Sequence, residues 1–222
     1  MQYVMKLSVQ TRSQLTLVRM LRIDGVFISF HHQDRDFKDK LAGFVEHIAQ
    51  RYKGKLGKEI LSKWSPDVSV SDGSISTRLS DRAIKEAIEE EFILHALVTI
   101  VLIGSETHTR KFVDWEIAAS LKERHGHHPD LSRGPAGLLG VVLPTSSTEQ
   151  RRGFDHSIIP PRLADNLRSG YAKLYSWKQI SNPKSCYRAL VSAIVAASGR
   201  EAERIDRIDN SRAELVRNKF FP

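Results

Sequence analysis

The chain lacks most of the motifs that announce a chemistry. It has one cysteine, Cys186, in 222 residues, so no intrachain disulfide can form, a usage that suits the cytoplasm. No apolar run approaches the roughly 20 residues of a membrane-spanning helix, and no membrane is expected. There is no GxxxxGK[ST] phosphate loop, no GxGxxG after the first apolar run and no GxSxG elbow. The central apolar run ends in Gly104 and Ser105, not in the aspartate that a phosphoacceptor domain needs. His125, His127 and His128 have no Cys or carboxylate at ligand spacing, so no metal is expected. Lys+Arg total 34 against 26 Asp+Glu, a formal +8. No basic stripe is interleaved with aromatics, which sets nucleic acid aside. An anionic ligand and a generally basic surface both fit the charge.

What is present is alternation. VFISF (26–30) reads as a strand, and Phe37, Leu41, Phe44, Val45 and Ile48 then recur at helical spacing over 34–50. DVSVS (67–71) reads as a short second strand. Ser80 and Asp81 look like an N-cap and first-turn acid for a helix over 81–92, with Ala83, Ile84, Ala87, Ile88 and Phe92 inward. LVTIVLI (97–103) is apolar on both faces, as a covered parallel strand must be. RKFVDWEIAASL follows as a helix, GLLGVVLP (137–144) as a strand stopped by Pro144, and 145–160 as a polar insertion. PRLADNLRSGYAKLYSW reads as a short helix and an edge strand at 171–177. Asn182–Pro183 opens a last helix with the stripe Tyr187, Leu190, Val191, Ile194 and Val195, closed by Gly199. Cys186 is expected to be a small core residue there.

This order specifies an open α/β sheet with helices on both faces. The expected organisation is an N-terminal extension (1–23), one domain (24–199) and a charged tail (200–222), a solvated helix or partly ordered arm. Met5 and Met20 both offer starts within the extension. Ligands of such folds sit beyond the carboxyl ends of the strands, where FHHQD, SDGSIS and GSETHTRKF converge. In the helix after the third strand, Val113, Ile117 and Leu121 make the buried ridge, and Phe112, Glu116 and Ser120 lie beside it at the core–solvent margin. Spacing alone leaves Glu116 open: solvated helix surface, or a charge directed at a ligand.

FISFHHQD, the acidic helix leading to LVTIVLIGSET, and RKFVDWEI together resemble the TIR-like domain family of the Thoeris anti-phage protein ThsB, an offshoot of the Toll/interleukin-1 receptor (TIR) fold. IPPRLADNL and the strand ending at Trp177 are similar to its C-terminal part, so the resemblance spans about residues 24–182. It implies a flavodoxin-like, three-layer fold with a five-stranded parallel sheet. It also implies cleavage of the nicotinamide–ribose bond of NAD+, often with cyclisation to an ADP-ribose isomer that activates a downstream effector. Glu116 matches the catalytic glutamate of enzymatic TIR domains. His31, His32 and Asp34 match the loop bordering the nucleotide, and Asp72 and Gly73 fall in the family's mobile loop. Better-known NAD-cleaving TIR domains carry arginine-like residues where this chain has His31 and His32.

The chemistry asks for few groups. Nicotinamide leaves as a neutral molecule without needing a proton, so the site needs an ionised acid near the ribose, an aromatic face and shielding from water. Glu116 supplies the acid, Phe112 or Phe30 the face, with core packing the preferred reading of Phe30, and Ser105 lines the rim; NAD+ is substrate and no cofactor or metal is required. The competing expectation is a scaffold that acts only by TIR self-association through the Asp72 loop, since a TIR scaffold can also retain a glutamate.

Overall fold

The computed structural model describes residues 25–52, 80–89, 93, 96–123, 134–144, 156–197 and 207–215. Four strands, β1 (Val26–Ser29), β2 (Val98–Ile103), β3 (Gly137–Val142) and β4 (Lys173–Ser176), form one parallel sheet in that spatial order. Val26 pairs with Val98, Val98 with Gly137 and Leu139 with Lys173. Every residue of β1, β2 and β3 is buried, and β4 is partly exposed at the edge. The expected strand at 67–71 lies outside the described residues, as do the extension 1–23 and the histidines of 125–128.

The helices are α1 (Arg35–Tyr52), α2 (Asp81–Ala87), α3 (Lys111–Ser120), α4 (Pro161–Ser169), α5 (Trp177–Ile180) and α6 (Pro183–Ala197). Period-two alternation in the strands divides them between two faces. Val26, Ile28, Val98, Ile100, Leu102, Leu139 and Val141 meet Leu41, Val45 and Ile48 of α1 and Cys186, Ala189, Leu190 and Ala193 of α6. Val101, Ile103, Leu138 and Val142 meet Val113, Ile117 and Leu121 at α3 and Leu163 of α4. Phe27, Ile84, Ile88, Trp115 and Ala119 close a third cluster where α2 flanks α3. Full burial of each such Val, Ile or Leu contributes about 2 kcal/mol, so the sheet with its two helical layers is the core.

Local chemistry explains the boundaries. The Ser80 hydroxyl accepts from Ala83 N–H at 3.3 Å and caps α2. Pro161 starts α4, and Gly170, at φ 82°, ends it in a left-handed conformation that favours glycine. Ser176 and Gln179 form a reciprocal capping box at α5. The stripe of α6 is corrected: its buried ridge is Cys186, Ala189, Leu190 and Ala193, while Tyr187 and Val191 are half-buried. Small residues carry that ridge because α6 lies close on the sheet, where a methyl at Gly137 would collide with the Ala193 carbonyl.

Of the tail, expected as a solvated helix or a partly ordered arm, residues 207–215 are described. They form neither strand nor helix; they lie as an extended strap across α3 and α4. Asn166 Nδ2 donates to Asp209 O at 2.7 Å, Asn210 Nδ2 to Ala118 O at 3.2 Å, and Trp115 Nε1 to Leu215 O at 2.8 Å. Glu214 pairs with Lys85 of α2. Backbone acceptors, which no hydrophobic period reveals, hold this segment.

Candidate active site

Glu116 lies in the middle of α3, and its carboxylate reaches the carboxyl end of β1. The Ser29 hydroxyl donates to Glu116 Oε2 at 2.5 Å. Ser29 faces α3 because it follows Phe27 at the two-residue period of the strand. Glu116 is 8% exposed and Ser29 1%. The margin expected for the ridge 112–116–120 therefore holds for Phe112 alone, which is 38% exposed. Ser120 is fully buried, with its hydroxyl 2.7 Å from Thr99 Oγ1 and donating to Glu116 O. The sheet, α2 and the strap enclose α3 together, which is why residues 113–120 are all buried.

Burial raises the Glu116 pKa to about 8, and the Ser29 hydrogen bond pulls it down only in part. Burial thus favours the protonated form of this acid. Among the described residues Ser29 makes the only side-chain hydrogen bond to this carboxylate. A cation arriving next to it would favour loss of the proton.

The other rim residues divide by depth. His31 is 5% exposed, with no hydrogen-bond partner at either ring nitrogen. Burial, then the charge of Arg110 and that of His32, push its pKa down to about 4. His32 is exposed, its ring centroid 4.0 Å from that of His31. Asp34, buried just before α1, rests on the backbone of Gly104, where a methyl group would strike its carboxylate. Burial raises the Asp34 pKa, while His32 acts to lower it. Ser105 is exposed in the turn after β2.

Two expected contributors separate. Phe30 packs with the α1–α6 side of the sheet, opposite α3, with Lys38 Nζ 5.9 Å from its ring centroid. Phe112 stays on the α3 side and meets Trp115 edge-on at 5.2 Å, so of the two candidate ring faces it is the one on the helix of Glu116. Asp72 and Gly73 lie outside the described residues. Trp115, 3% exposed, is a fold contact.

Sequence reasoning passed over Ser29, Arg110 and the pair Asp114–Arg162. The first carries a weak signal, a small polar residue ending an otherwise apolar strand. Arg162 Nε donates to Asp114 Oδ1 at 3.0 Å, both side chains nearly inaccessible, and no spacing in the chain links α3 to α4.

Residues 27–148, more than half of the chain, match the family described as Thoeris protein ThsB, TIR-like domain. The stretch IPPRLADNL and Trp177 lie beyond the matched residues. Comparison with the curated proteins gives no match, and comparison with the solved structures gives none either.

Proposed function

Because the chain belongs to the TIR-like domain family of the Thoeris protein ThsB, and so to anti-phage defence, we propose that it cleaves the nicotinamide–ribose bond of NAD+ and releases a cyclic ADP-ribose-type signal. The observation that carries this reading is the position of Glu116. A buried acid with one hydroxyl for company, at the carboxyl end of a strand in an α/β sheet, is costly for folding and suited to a cationic ligand.

In the proposed reaction the C1′–N bond breaks with its electron pair going to the pyridinium nitrogen, so nicotinamide leaves neutral. Positive charge develops on the ribose, and the Glu116 carboxylate stabilises it in a site of low dielectric. Capture by water gives ADP-ribose and a proton. Capture by a base nitrogen of the same molecule gives the cyclic isomer, also with loss of a proton when that nitrogen carries one. Ser29 orients the carboxylate, and Phe112 offers an exposed ring on the same ridge. NAD+ is substrate, so no cofactor is invoked. Self-association on activation, action in the cytoplasm and a nucleotide-sensing effector complete the proposal. Among the described residues no helix is long and apolar enough to cross a membrane.

The test compares the full chain with Glu116→Gln in phage-challenged cells carrying a candidate effector, with lysate nucleotides resolved by chromatography. Loss of NAD+ with appearance of an ADP-ribose product is expected from the parent. The variant should be slower by about 10²–10³-fold, the usual effect of removing one group that stabilises developing charge. Equal NAD+ consumption by the two removes Glu116 from the chemistry.

A further inference from the structure

Five buried side chains outside the Glu116 site line the junction of α3 and α4. Asp114 and Trp115 come from α3, and Arg162, Asp165 and Asn166 from α4; none is more than 6% exposed. Buried polar groups must be paired, and much of their pairing comes from the segment 207–215, of which no residue is itself buried. At each end of the segment both backbone groups of one residue are gripped by side chains. Asn166 Nδ2 donates to Asp209 O at 2.7 Å, and Asp209 N–H donates to Asn166 Oδ1 at 3.0 Å. Trp115 Nε1 donates to Leu215 O at 2.8 Å, and Leu215 N–H donates to Asp114 Oδ2 at 2.9 Å. Main-chain groups that elsewhere find partners in a helix or sheet are met here by the surface beneath them.

Between those two grips, side chains are read. Arg162 Nη1 donates to Asn210 Oδ1 at 2.7 Å, while Asn210 Nδ2 donates to Ala118 O at 3.2 Å. The Arg212 fork meets Asp165 at 2.7 and 3.0 Å, the bidentate geometry that combines charge with direction. Glu214 pairs with Lys85. Within the segment, Ser211 N–H and Oγ donate to Asp209 Oδ1 at 3.1 and 2.7 Å, a local turn that needs no support from the rest of the protein. Ile208 is the residue of the segment that packs on the core, so its departure uncovers little apolar surface. It would instead strip the Asn166 amide and the Trp115 indole of partners, at a cost for each buried polar group left unpaired. The face therefore selects an occupant with the same donors and acceptors in the same order.

We propose that the α3–α4 face is a recognition groove for an extended peptide, filled in cis by residues 207–215, and that the same segment of a second copy takes it in trans. A second copy carries Asn210, Arg212 and Glu214 at the required spacing. Its contacts would equal those seen here, so local concentration decides between the two arrangements. Tryptophan and arginine at the base of the groove are the residue types that carry most binding energy at protein interfaces. The groove gives the self-association proposed above a surface, yet its contacts use neither the Glu116 carboxylate nor NAD+.

Two measurements on the full chain test it. In the first, a fluorescent peptide of residues 207–215 is titrated into the parent and into the double variant Asn210→Ala, Arg212→Ala, whose own segment has lost its side-chain anchors. The variant is expected to bind the peptide about ten- to hundredfold tighter than the parent, where the cis segment competes. A peptide carrying the same two changes should bind neither protein. In the second, that double variant is mixed with Asn166→Ala, which keeps an intact segment but loses one grip of the groove. The intact groove and the intact segment then lie in different copies, so sedimentation velocity should show a two-chain complex that neither variant forms alone. Circular dichroism and a thermal melt establish that each variant is folded, and Asp165→Asn replaces Asn166→Ala should the latter fail to fold. Absence of peptide binding to the folded double variant overturns the groove, as does equal binding of the altered peptide. Peptide binding without pairing of the mixed copies overturns the second copy as occupant. NAD+ is absent throughout, so failure here leaves the assignment of Glu116 where it stood, and loss of that assignment leaves the groove.

Discussion

Asp114 and Glu116 are two residues apart on one helix, both acids and both buried, yet the protein treats them differently. Asp114 faces the rear. It receives Arg162 Nε at 3.0 Å and the Leu215 N–H at 2.9 Å, and the Arg162 guanidinium goes on to Asn210 Oδ1 at 2.7 Å and Arg212 O at 2.8 Å. Glu116 faces the end of β1 and receives one hydroxyl. A buried charge with a full set of donors holds elements together; a buried acid left under-compensated is a cost that packing does not explain. Burial alone does not separate a structural acid from a working one. The donor count around each does.

That contrast can be broken at three points. The largest effect is expected from Glu116→Gln, read as stability against pH. The folded pKa of about 8 stands above the ordinary 4.5. The parent therefore has its full stability below pH 4.5, loses it as pH rises towards 8, and is level beyond that as far as this group is concerned. The span corresponds to at most about 5 kcal/mol. Thermal melts of parent and variant should converge near pH 5, and the variant should melt higher above pH 8. Identical pH dependence would mean that Glu116 is not desolvated.

The rear pair comes next. Arg162→Met leaves Asp114 with the Leu215 N–H and should cost about 3–5 kcal/mol, a fall in Tm of about 10 °C for a chain of this size. A change below about 2 °C would show that the strap and its guanidinium contribute little. The smallest effect is expected from Ser29→Ala. Without that donor the charged form of Glu116 loses its one hydrogen bond, and its pKa rises further, by about one unit. In the parent, kcat/KM for NAD+ should climb with pH and level near 8; in Ser29→Ala the profile should move to the alkaline side. A profile that stays in place would detach Ser29 from the acid.

Much of the architecture was legible in the chain. Strand alternation placed β1, β2, β3 and β4, the Ser80 cap marked α2, and Cys186 was read correctly as core. The site was legible in outline through RKFVDWEI, because a glutamate after the central strand stands out against apolar neighbours. Its depth was not. Helical spacing gives the direction of a side chain from the axis, and 112, 116 and 120 do share a ridge; how many layers cover that ridge depends on α2 and the strap. The strap's contacts with α3 join residues about a hundred positions apart, such as Trp115 with Leu215. They use backbone acceptors, which leave no pattern in residue type. Phe30, read as a ring face or, in preference, as core, packs with the core on the α1–α6 side; it is the residue after β1, and the face it takes depends on how the chain turns towards α1.

The strap also bears on where this unit ends for anyone who isolates it. The match to the family model ends at residue 148, and the last helix among the described residues at Ala197. A fragment trimmed to either boundary would remove the acceptors of the Trp115 indole and of one side of the Arg162 guanidinium. An expression clone meant to behave like the parent should therefore run through Leu215. A tag or fusion placed between 209 and 215 would push a foreign sequence into the lattice of bonds that seats the glutamate helix.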